Sequence, residues 1–357
     1  MTYTDAIDLL KEMIAIPSVS RSEDGTAKLL YDFLEANGVD VKRVYNNLWA
    51  MCRHYDVEKP TLMLNSHHDT VKPSSAYTLD PFSPIVKDKS LYGLGSNDAG
   101  ASVVSLLTTF INHYDDDNLP FNLLLDLSAE EEVMGKHGMR AMLAEYREKN
   151  VKIDMALTGE PTGMQASVGE RGLVVLDCTA HGKQGHAARN EGINALYIAL
   201  DDIQKLRNFS FPKESSILGP IKLTTTMIDC GTQHNVVPDS CHFVVDIRTT
   251  DAYTNEEVIA ILQQELRSTA VPRSTYIHAS AIAATHPLVR AAESIGRQTY
   301  ISPTTSDQAL TPFPSLKMGP GHSSRSHSAD EYVMLSEIEE GIKIYDQFIQ
   351  ALACQLR

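Results

Sequence analysis

Histidines and carboxylates follow several buried-strand candidates in the first half of this sequence. They are His67, His68 and Asp69 after TLMLNS, Glu130, Glu131 and Glu132 after FNLLLDLSA, and Glu160 after IDMALTG. In open parallel sheets, ligands bind beyond the carboxyl ends of the strands, so these side chains are expected to converge at one edge. Zinc takes imidazole nitrogens and carboxylate oxygens as ligands. The pattern therefore indicates a divalent-metal site.

Two further segments supply residues of the same type. LYGLGSNDAGAS places Asp98 in a Gly-rich turn before the helical run ASVVSLLTTFINH, and GPGHSSRSHSADE contains His322 and His327. Taken singly, each residue has a structural explanation: Asp98 could cap the helix, a histidine could be a buried structural residue, and the glutamates could be solvated. Their repetition at successive strand ends favours a metal cluster. Two ions in such a cluster would need a shared carboxylate.

The adjacent histidines in NSHHDTVKP cannot both face one site from an extended chain. Successive side chains of a strand point to opposite faces, so His67 shares a face with Asp69 while His68 points the other way. One histidine is therefore expected to face the cluster. The other is expected to pack against a neighbouring segment.

Composition limits the function classes. The chain has 357 residues and a net charge of −15, which argues against a nucleic-acid or anionic-membrane partner. The start, MTYTDAIDLLKEMIAIPSVS, is typical of an amphipathic helix rather than a signal peptide, and no apolar run reaches the length of a membrane span. The five cysteines lack CxxC spacing, so we expect reduced thiols in a cytoplasmic protein, without metal-binding or nucleophilic roles.

The periodicity predicts an α/β fold with an inserted domain. Apolar runs alternate with helical patterns in the first part, which indicates a mostly parallel, helix-covered sheet. From Gly172 the order becomes β-α-β-β-α-β, a split βαβ unit whose second helix begins after Thr254 and whose last strand is STYIHASAIA. Helical patterns then flank a return strand at FPSLKMGPG. We predict a large domain from residues 1–171 and 284–357, and a small α+β domain at 172–283.

Five ordered motifs resemble those of the dinuclear zinc amidohydrolases and peptidases, a family that includes acetylornithine deacetylase and succinyl-diaminopimelate desuccinylase. NSHHDTV is similar to GHxDxV, LYGLGSNDAGAS to LYGxGxxDMKG, and SAEEEVMGKHGM to TPDEEVG. TGEPTG matches a GEP element, and RSHSADEYV matches the C-terminal histidine motif. Departures occur at Ala99 and Gly100, where the family has methionine and lysine, and neither position is a ligand. The resemblance implies a zinc-exopeptidase-like large domain and a small dimerisation domain.

The resemblance also implies roles for individual residues. His67 and Glu160 would hold one zinc, Glu132 and His327 the other, and Asp98 would bridge the two ions, with cobalt as an alternative metal. Asp69 would orient the His67 ring. Glu131 would be the general base. Three consecutive glutamates also allow a shift by one residue, with Glu130 as base and Glu131 as ligand, although the match to DEEVG favours Glu131 as base.

The inserted domain carries further motifs. HGKQGHAARNEG resembles GxxGH(S/A), whose histidine, here His186, reaches the active site of the partner subunit and so makes a homodimer necessary. The alternative is that His186 caps the following helix. GTQHNVVPDSCHFVVDIR resembles an NxIP…R element, so Asn235 and Arg248 are candidates to bind the oxyanion region and a substrate carboxylate. Arg189 and Arg325 are better explained as ordinary surface residues.

The implied function is a cytoplasmic zinc-dependent deacylase of small N-acyl amino acids, most similar to acetylornithine deacetylase of arginine biosynthesis. The acyl group, acetyl or succinyl, and the amino acid, ornithine, citrulline or lysine, stay open at this stage. One alternative is a dinuclear zinc aminopeptidase or dipeptidase. Others are a non-catalytic dimeric binding protein of the same fold and an α/β protein with an acidic surface that binds no metal.

Overall fold

The computed structural model describes residues 1–189 and 191–357. The chain divides into two compact units. Unit 1 comprises Met1–Val168, Ile282–Tyr300 and Ser306–Arg357, and unit 2 comprises Gly169–Ala281 and Ile301–Thr305. The borders predicted from the sequence, 1–171, 172–283 and 284–357, stay a prediction, and the assignment of 301–305 to unit 2 was not part of it.

The first part of the chain belongs to unit 1 and ends in a strand that leads into unit 2. Its elements are α1 (Tyr3–Ile14), α2 (Asp24–Ala36), β1 (Val41–Val44), β2 (Asn47–Met51), β3 (Thr61–His67), β4 (Ile85–Lys87), β5 (Ser90–Tyr92), α3 (Ala101–His113), β6 (Asn122–Ser128), α4 (Met139–Glu148), β7 (Met155–Thr158) and β8 (Ala166–Glu170).

The inserted unit and the returning chain follow. The inserted unit contains β9 (Gly172–His181), β10 (Gly185–His186), α5 (Ala195–Asn208), β11 (Lys222–Cys230), β12 (Val236–Val237), β13 (Ser240–Thr249), α6 (Asn255–Glu265), β14 (Thr269–Pro272) and β15 (Ser280–Ala281). The rest are α7 (Pro287–Ser294), β16 (Thr299–Ser302), β17 (Ser315–Lys317), β18 (Tyr332–Met334) and α8 (Leu335–Leu356). No helix in the described residues is long and apolar enough to cross a bilayer.

The central sheet of unit 1 has the order β1-β2-β6-β3-β7-β17-β8. Strands β6, β3, β7 and β17 run parallel, while β1, β2 and β8 pair antiparallel at the two ends. Every residue of β3 and β6 is buried, because helices cover both faces of the sheet. The predicted largely parallel α/β fold is confirmed.

Alternating side chains of β3 enter two different apolar clusters. Leu62 and Leu64 pack in the cluster that also contains residues of α1, α3 and α8, whereas Met63 packs with residues of α4 on the opposite face. This two-sided burial explains the continuous apolar run TLML. The parallel pairing of β3 with β6 and β7 places the carboxyl ends of all three strands at one edge of the sheet.

Local signals in the sequence set the helix ends. At α1, the Thr2 hydroxyl accepts a hydrogen bond from the Asp5 amide while the Asp5 carboxylate binds the Thr2 amide. Thr254 and Glu257 form the same reciprocal cap at α6. Helix α2 stops just before Gly38, whose φ of 74° suits glycine.

Unit 2 is a four-stranded antiparallel sheet of order β11-β13-β9-β14, with α5 and α6 packed on its apolar face. Its order along the chain is the predicted β-α-β-β-α-β. The position of the last strand is corrected, because β14 is Thr269–Pro272 rather than STYIHASAIA. In that predicted segment the Asn255 amide donates to the carbonyls of Thr275 and Ile277, which holds this part of the backbone as a loop. Ser280–Ala281 of the same segment form β15, which pairs with β8.

The insertion leaves and rejoins unit 1 at neighbouring points. The backbone N–H of Ile282 donates a 3.0 Å hydrogen bond to the carbonyl of Val168. These two residues are the ones that flank Gly169–Ala281 in sequence. The small unit is therefore an insertion into a sheet whose hydrogen bonding is continuous across the junction.

Candidate metal centre

All five predicted metal ligands lie at the edge of the sheet where the parallel strands end. His67 is the last residue of β3, Glu132 lies in the turn after β6, and Glu160 follows β7. Asp98 lies in the turn Ser96–Gly100 before α3, and His327 lies in the loop before β18. The structure thus brings together residues that are separated by up to 260 positions, as the strand-end pattern predicts.

Asp98 lies between the two histidines. His67 Nε2 is 3.3 Å from Asp98 Oδ1 and 3.8 Å from Glu160 Oε1. On the other side, His327 Nε2 is 2.9 Å from Glu132 Oε2 and 3.6 Å from Asp98 Oδ2. Asp98 therefore presents a different oxygen to each half of the cluster, which is the arrangement that a shared carboxylate requires.

The donor chemistry of the cluster fits divalent metal ions. Donor atoms of His67, Asp98 and Glu132 all lie within 4.8 Å of one another. The Asp98, Glu132 and Glu160 side chains are 11%, 8% and 15% exposed, so three carboxylates are gathered away from water. Buried carboxylates need positive charge nearby, and zinc accepts both donor types present here.

The same electrostatics appear in the pKa values of the imidazoles and carboxylates. Burial lowers the pKa of His67, but the surrounding carboxylates, Glu131 foremost, raise it well above its usual range. The hydrogen bond to Glu132 raises the pKa of His327 to about 9. Burial raises the pKa of Glu160 to about 8, and burial also raises that of Glu131. The cluster favours positive charge on its histidines and resists further negative charge.

Asp69 connects His67 to the glutamate turn. Its Oδ1 lies 3.3 Å from His67 Nδ1 and accepts a hydrogen bond of 3.1 Å from the backbone amide of Glu131. Its Oδ2 accepts hydrogen bonds from the Glu132 amide at 3.2 Å and from the Ser20 hydroxyl at 2.7 Å. His67 Nδ1 also lies 3.1 Å from the backbone carbonyl oxygen of Asp69. One residue therefore contacts a histidine ring and the backbone of two glutamates. Ser20 was not identified from the sequence.

His68 faces away from the cluster. Its Nδ1 lies 3.0 Å from the Thr26 hydroxyl, and its Nε2 lies 2.9 Å from the carbonyl of Asn46. The ring is 3% exposed, and burial lowers its pKa. Both ring nitrogens are thus used in packing contacts on the other side of β3.

The three consecutive glutamates have distinct surroundings. Glu130 adopts a positive φ of 55° and its carboxylate accepts a hydrogen bond from the backbone amide of His137. Glu131 Oε2 lies 3.9 Å from His67 Nε2, and Glu132 contacts His327. Glu130 is therefore bound to its own turn, and the other two face the cluster.

Glu331 and Asn97 also shape the site, and neither was predicted from the sequence. Glu331 Oε1 accepts hydrogen bonds from the backbone amides of Asn97 and Asp98, at 2.8 and 2.9 Å. The Asn97 side chain exchanges hydrogen bonds with the backbone of His322. These contacts join the turn that carries Asp98 to the loop that carries His327. No spacing rule reveals them, because they act on backbone groups more than 200 residues away.

In unit 2, His186 and Asn235 are neighbours. Strand β10 pairs with β12, and the Ala187 amide donates to the carbonyl of Asn235 at 3.1 Å. The interpretation of His186 as a helix cap is wrong, because the residue that caps α5 is Asn194, whose side chain accepts from the Leu196 amide. The imidazole of His186 instead accepts a hydrogen bond from the nearby Ala188 amide.

Two of the three arginines considered from the sequence already have carboxylate partners. Arg248 binds Asp246 through two nitrogens, at 2.8 and 3.0 Å, and its side chain is 41% exposed. Arg325 binds Glu337 in the same two-pronged way. Arg189 is exposed. A substrate carboxylate at Arg248 would have to compete with Asp246.

Comparisons with known proteins agree with this fold. Residues 168–274 match the family model of the M20 peptidase dimerisation domain. The chain is 27% identical to a succinyl-diaminopimelate desuccinylase of Paracoccus denitrificans, over 97% of this chain and 98% of the relative. The relative is named for a succinyl substrate, in contrast to the acetylornithine deacetylase that we expected as the nearest type.

Solved structures of similar fold cover nearly the whole chain. Aminopeptidase PepT from Bacillus cereus aligns with a TM-score of 0.76 at 20% identity, over 99% of both chains. The Bacillus subtilis protein YXEP, described as a dinuclear metal-binding peptidase of the M20 family, aligns with a TM-score of 0.72 at 18% identity, over 98% and 97%. Together the comparisons show an enzyme with the fold of the M20 metal-dependent hydrolases.

Proposed function

Because the chain has the M20 peptidase fold together with its dimerisation domain, we propose that it hydrolyses the amide bond of a small N-acyl amino acid. The products are a carboxylate and a free amine. The observation that carries this proposal is the position of Asp98 between His67 and His327, with Glu160 and Glu132 on either side and Glu131 adjacent.

We assign the five cluster residues to two zinc ions, with cobalt as the alternative metal. His67 and Glu160 would hold one ion, Glu132 and His327 the other, and Asp98 both. Two such ions, when bound, would supply a water of lowered pKa and a Lewis acid for the scissile carbonyl. Asp69 keeps the His67 ring in place through its contact with Nδ1, so that Nε2 is left for the metal.

Glu131 is the proposed general base. It would accept a proton from the attacking water and deliver it to the nitrogen of the leaving amine. Its carboxylate is buried and faces the cluster, and burial raises its pKa above the usual range. The contact of Glu130 with the His137 amide supports this register over the one shifted by a residue.

We further propose a homodimer in which His186 and Asn235 act on the partner subunit's site. There they would donate hydrogen bonds to the oxyanion, and such a donor is typically worth about 3 to 4 kcal/mol. The edge strand β11 supports a dimer, because Met227 and Ile228 on it are 63% and 50% exposed. Arg248 would bind the substrate carboxylate, since its guanidinium can donate two parallel hydrogen bonds.

For the substrate, we propose N-succinyl-diaminopimelate ahead of N-acetylornithine. The name of the Paracoccus relative supports the first, and the relative aligns along nearly its whole length. The motifs of the sequence are common to both activities. The two substrates share an N-acyl group on an amino acid, so the proposed chemistry is the same for either.

An amine-release assay tests the proposal. Zinc-loaded protein is given succinyl-diaminopimelate and acetyl- and succinyl-ornithine, -citrulline and -lysine, with a dipeptide and tripeptide panel beside them. We expect release from an N-acyl amino acid that disappears in Glu131→Gln. Preferential cleavage of peptides would establish the aminopeptidase alternative. If no amide is cleaved while metal is bound, the protein is a binding protein of the same fold.

A further inference from the structure

Two cysteines lie directly opposite each other in the antiparallel sheet of unit 2. The register of β11 and β13 pairs Cys230 with Cys241. Opposed residues of an antiparallel pair have Cα atoms about 4.5 or 5.5 Å apart and side chains on the same face. Both distances lie within the range of about 4.4 to 6.8 Å that a disulfide spans.

The two thiols are in contact but differ in exposure. Burial raises the pKa of the Cys241 thiol to about 12, and a hydrogen bond with the Cys230 thiol adds to this effect. Cys241 is 1% exposed, whereas Cys230 is partly exposed at the end of β11, where its thiol donates to the carbonyl of Ser240. A reagent from solution therefore meets Cys230 first.

From this geometry we propose that Cys230 and Cys241 form a reversible disulfide on reaction with a small-molecule disulfide such as oxidised glutathione. The Cys230 thiolate attacks one glutathione sulfur and expels a glutathione thiolate, which leaves a mixed disulfide. The Cys241 thiol then gives up its proton and attacks the Cys230 sulfur, which expels the second glutathione thiolate. Two protein thiols are oxidised, and one oxidised glutathione is reduced to two thiols.

The bond would close the base of the segment between the two strands. That segment contains Asn235 and strand β12, which pairs with Gly185 and His186 in β10. The β10–β12 pairing joins only two residues on each side, so it is a short ladder with little stability of its own. A covalent link at Cys230 and Cys241 would restrict the motion of this ladder.

Peptide mapping tests the proposal on the full-length protein. Trypsin is expected to release residues 223–248 as one peptide that contains both cysteines. After treatment with oxidised glutathione and then an alkylating agent, this peptide should be two hydrogen masses lighter and carry no alkyl group. Amide hydrogen exchange in β12 should slow after oxidation. The proposal is overturned if both cysteines of this peptide are still alkylated after a treatment with oxidised glutathione that does modify the exposed Cys354.

Matched variants separate the two steps. Cys241→Ser should retain one glutathione on residue 230, because the second attack is lost. Cys230→Ser should acquire little glutathione at Cys241, and Cys354→Ser should form the disulfide as the wild type does. Equal glutathione labelling of both cysteines in the wild type would contradict the pairing. None of these measurements depends on the proposed hydrolase activity.

Discussion

The carboxylate of Asp69 accepts a hydrogen bond from the backbone amide of Glu131, 62 residues later in the chain. The same oxygen lies 3.3 Å from the ring of His67. The proposed base and a proposed ligand are therefore positioned by one buried group, which is 0% exposed. A substitution at Asp69 should therefore affect the positions of Glu131 and His67 together.

Replacement of Asp69 by asparagine should weaken metal binding and lower kcat/KM, each by about 10- to 100-fold. The amide would lack the negative charge that faces His67 and could accept through one oxygen only. Metal titration and steady-state kinetics measure the two effects. Ser20→Ala, which removes only one donor to Asp69, is the milder control. Unchanged metal affinity in the asparagine variant would show that the Asp69 carboxylate does not orient the ring, whose Nδ1 also lies 3.1 Å from the Asp69 backbone carbonyl.

The adjacent histidines should respond differently to alanine. His67→Ala should lose metal at one of the two positions, because its Nε2 faces Asp98 and Glu160. His68→Ala should keep the metal and lower the free energy of unfolding by about 1 to 3 kcal/mol, since the hydroxyl of Thr26 and the carbonyl of Asn46 lose a buried partner. Elemental analysis and thermal unfolding distinguish the outcomes. The reverse pattern would mean that the assignment of the pair is wrong.

Replacement of Glu130, Glu131 and Glu132 by glutamine, one at a time, should have three different effects on metal binding and kcat. Glu131→Gln should retain metal and lose about 10²- to 10⁴-fold in kcat, as expected for a general base. Glu132→Gln should bind less metal, because it contacts His327. Glu130→Gln should retain both properties, since its carboxylate binds the His137 amide instead. If Glu130→Gln shows the largest loss in kcat, the register shifted by one residue is correct.

Asp126 should make the stability of the protein depend on pH. Burial raises the pKa of this carboxyl to about 7, and the Tyr146 hydroxyl donates to it. An unfolded aspartate has a pKa of about 3.9, so the folded state holds an extra proton between the two values. The Asp126 contribution is therefore largest below pH 4 and falls by up to about 1.4 kcal/mol per pH unit as pH rises toward 7.

Asp126→Asn should remove this dependence, because the amide does not titrate and can still accept from Tyr146. The melting temperature of the variant minus that of the wild type should increase from pH 5 to pH 7. Asp117→Asn, at an exposed position, is the control for the loss of one carboxylate. If the melting temperatures of the wild type and both variants change in parallel with pH, the raised pKa of Asp126 is contradicted.

The sequence predicted the parallel sheet and the convergence of side chains at its edge, since both follow from periodicity and from the ends of parallel strands. It did not predict Glu331 or Ser20, because Glu331 binds backbone amides and Ser20 binds the Asp69 carboxylate, and neither contact leaves a spacing pattern. It also misplaced the last strand of unit 2. Strand β14 buries only Ala270 among its four residues and forms through its pairing with β9, which local alternation does not reveal.

The hydrogen bond between Ile282 and Val168 has a consequence for the integrity of the centre. Four of the five proposed ligands precede the insertion, and His327 follows it. A protease cut anywhere between Gly169 and Ala281 would turn the large unit into two polypeptides, one with four ligands and one with the fifth. The strand pairing at the junction, and the hydrogen bond that Glu331 accepts from the backbone amide of Asp98, would still hold the fragments together. A nicked molecule should therefore keep its metal until it is denatured.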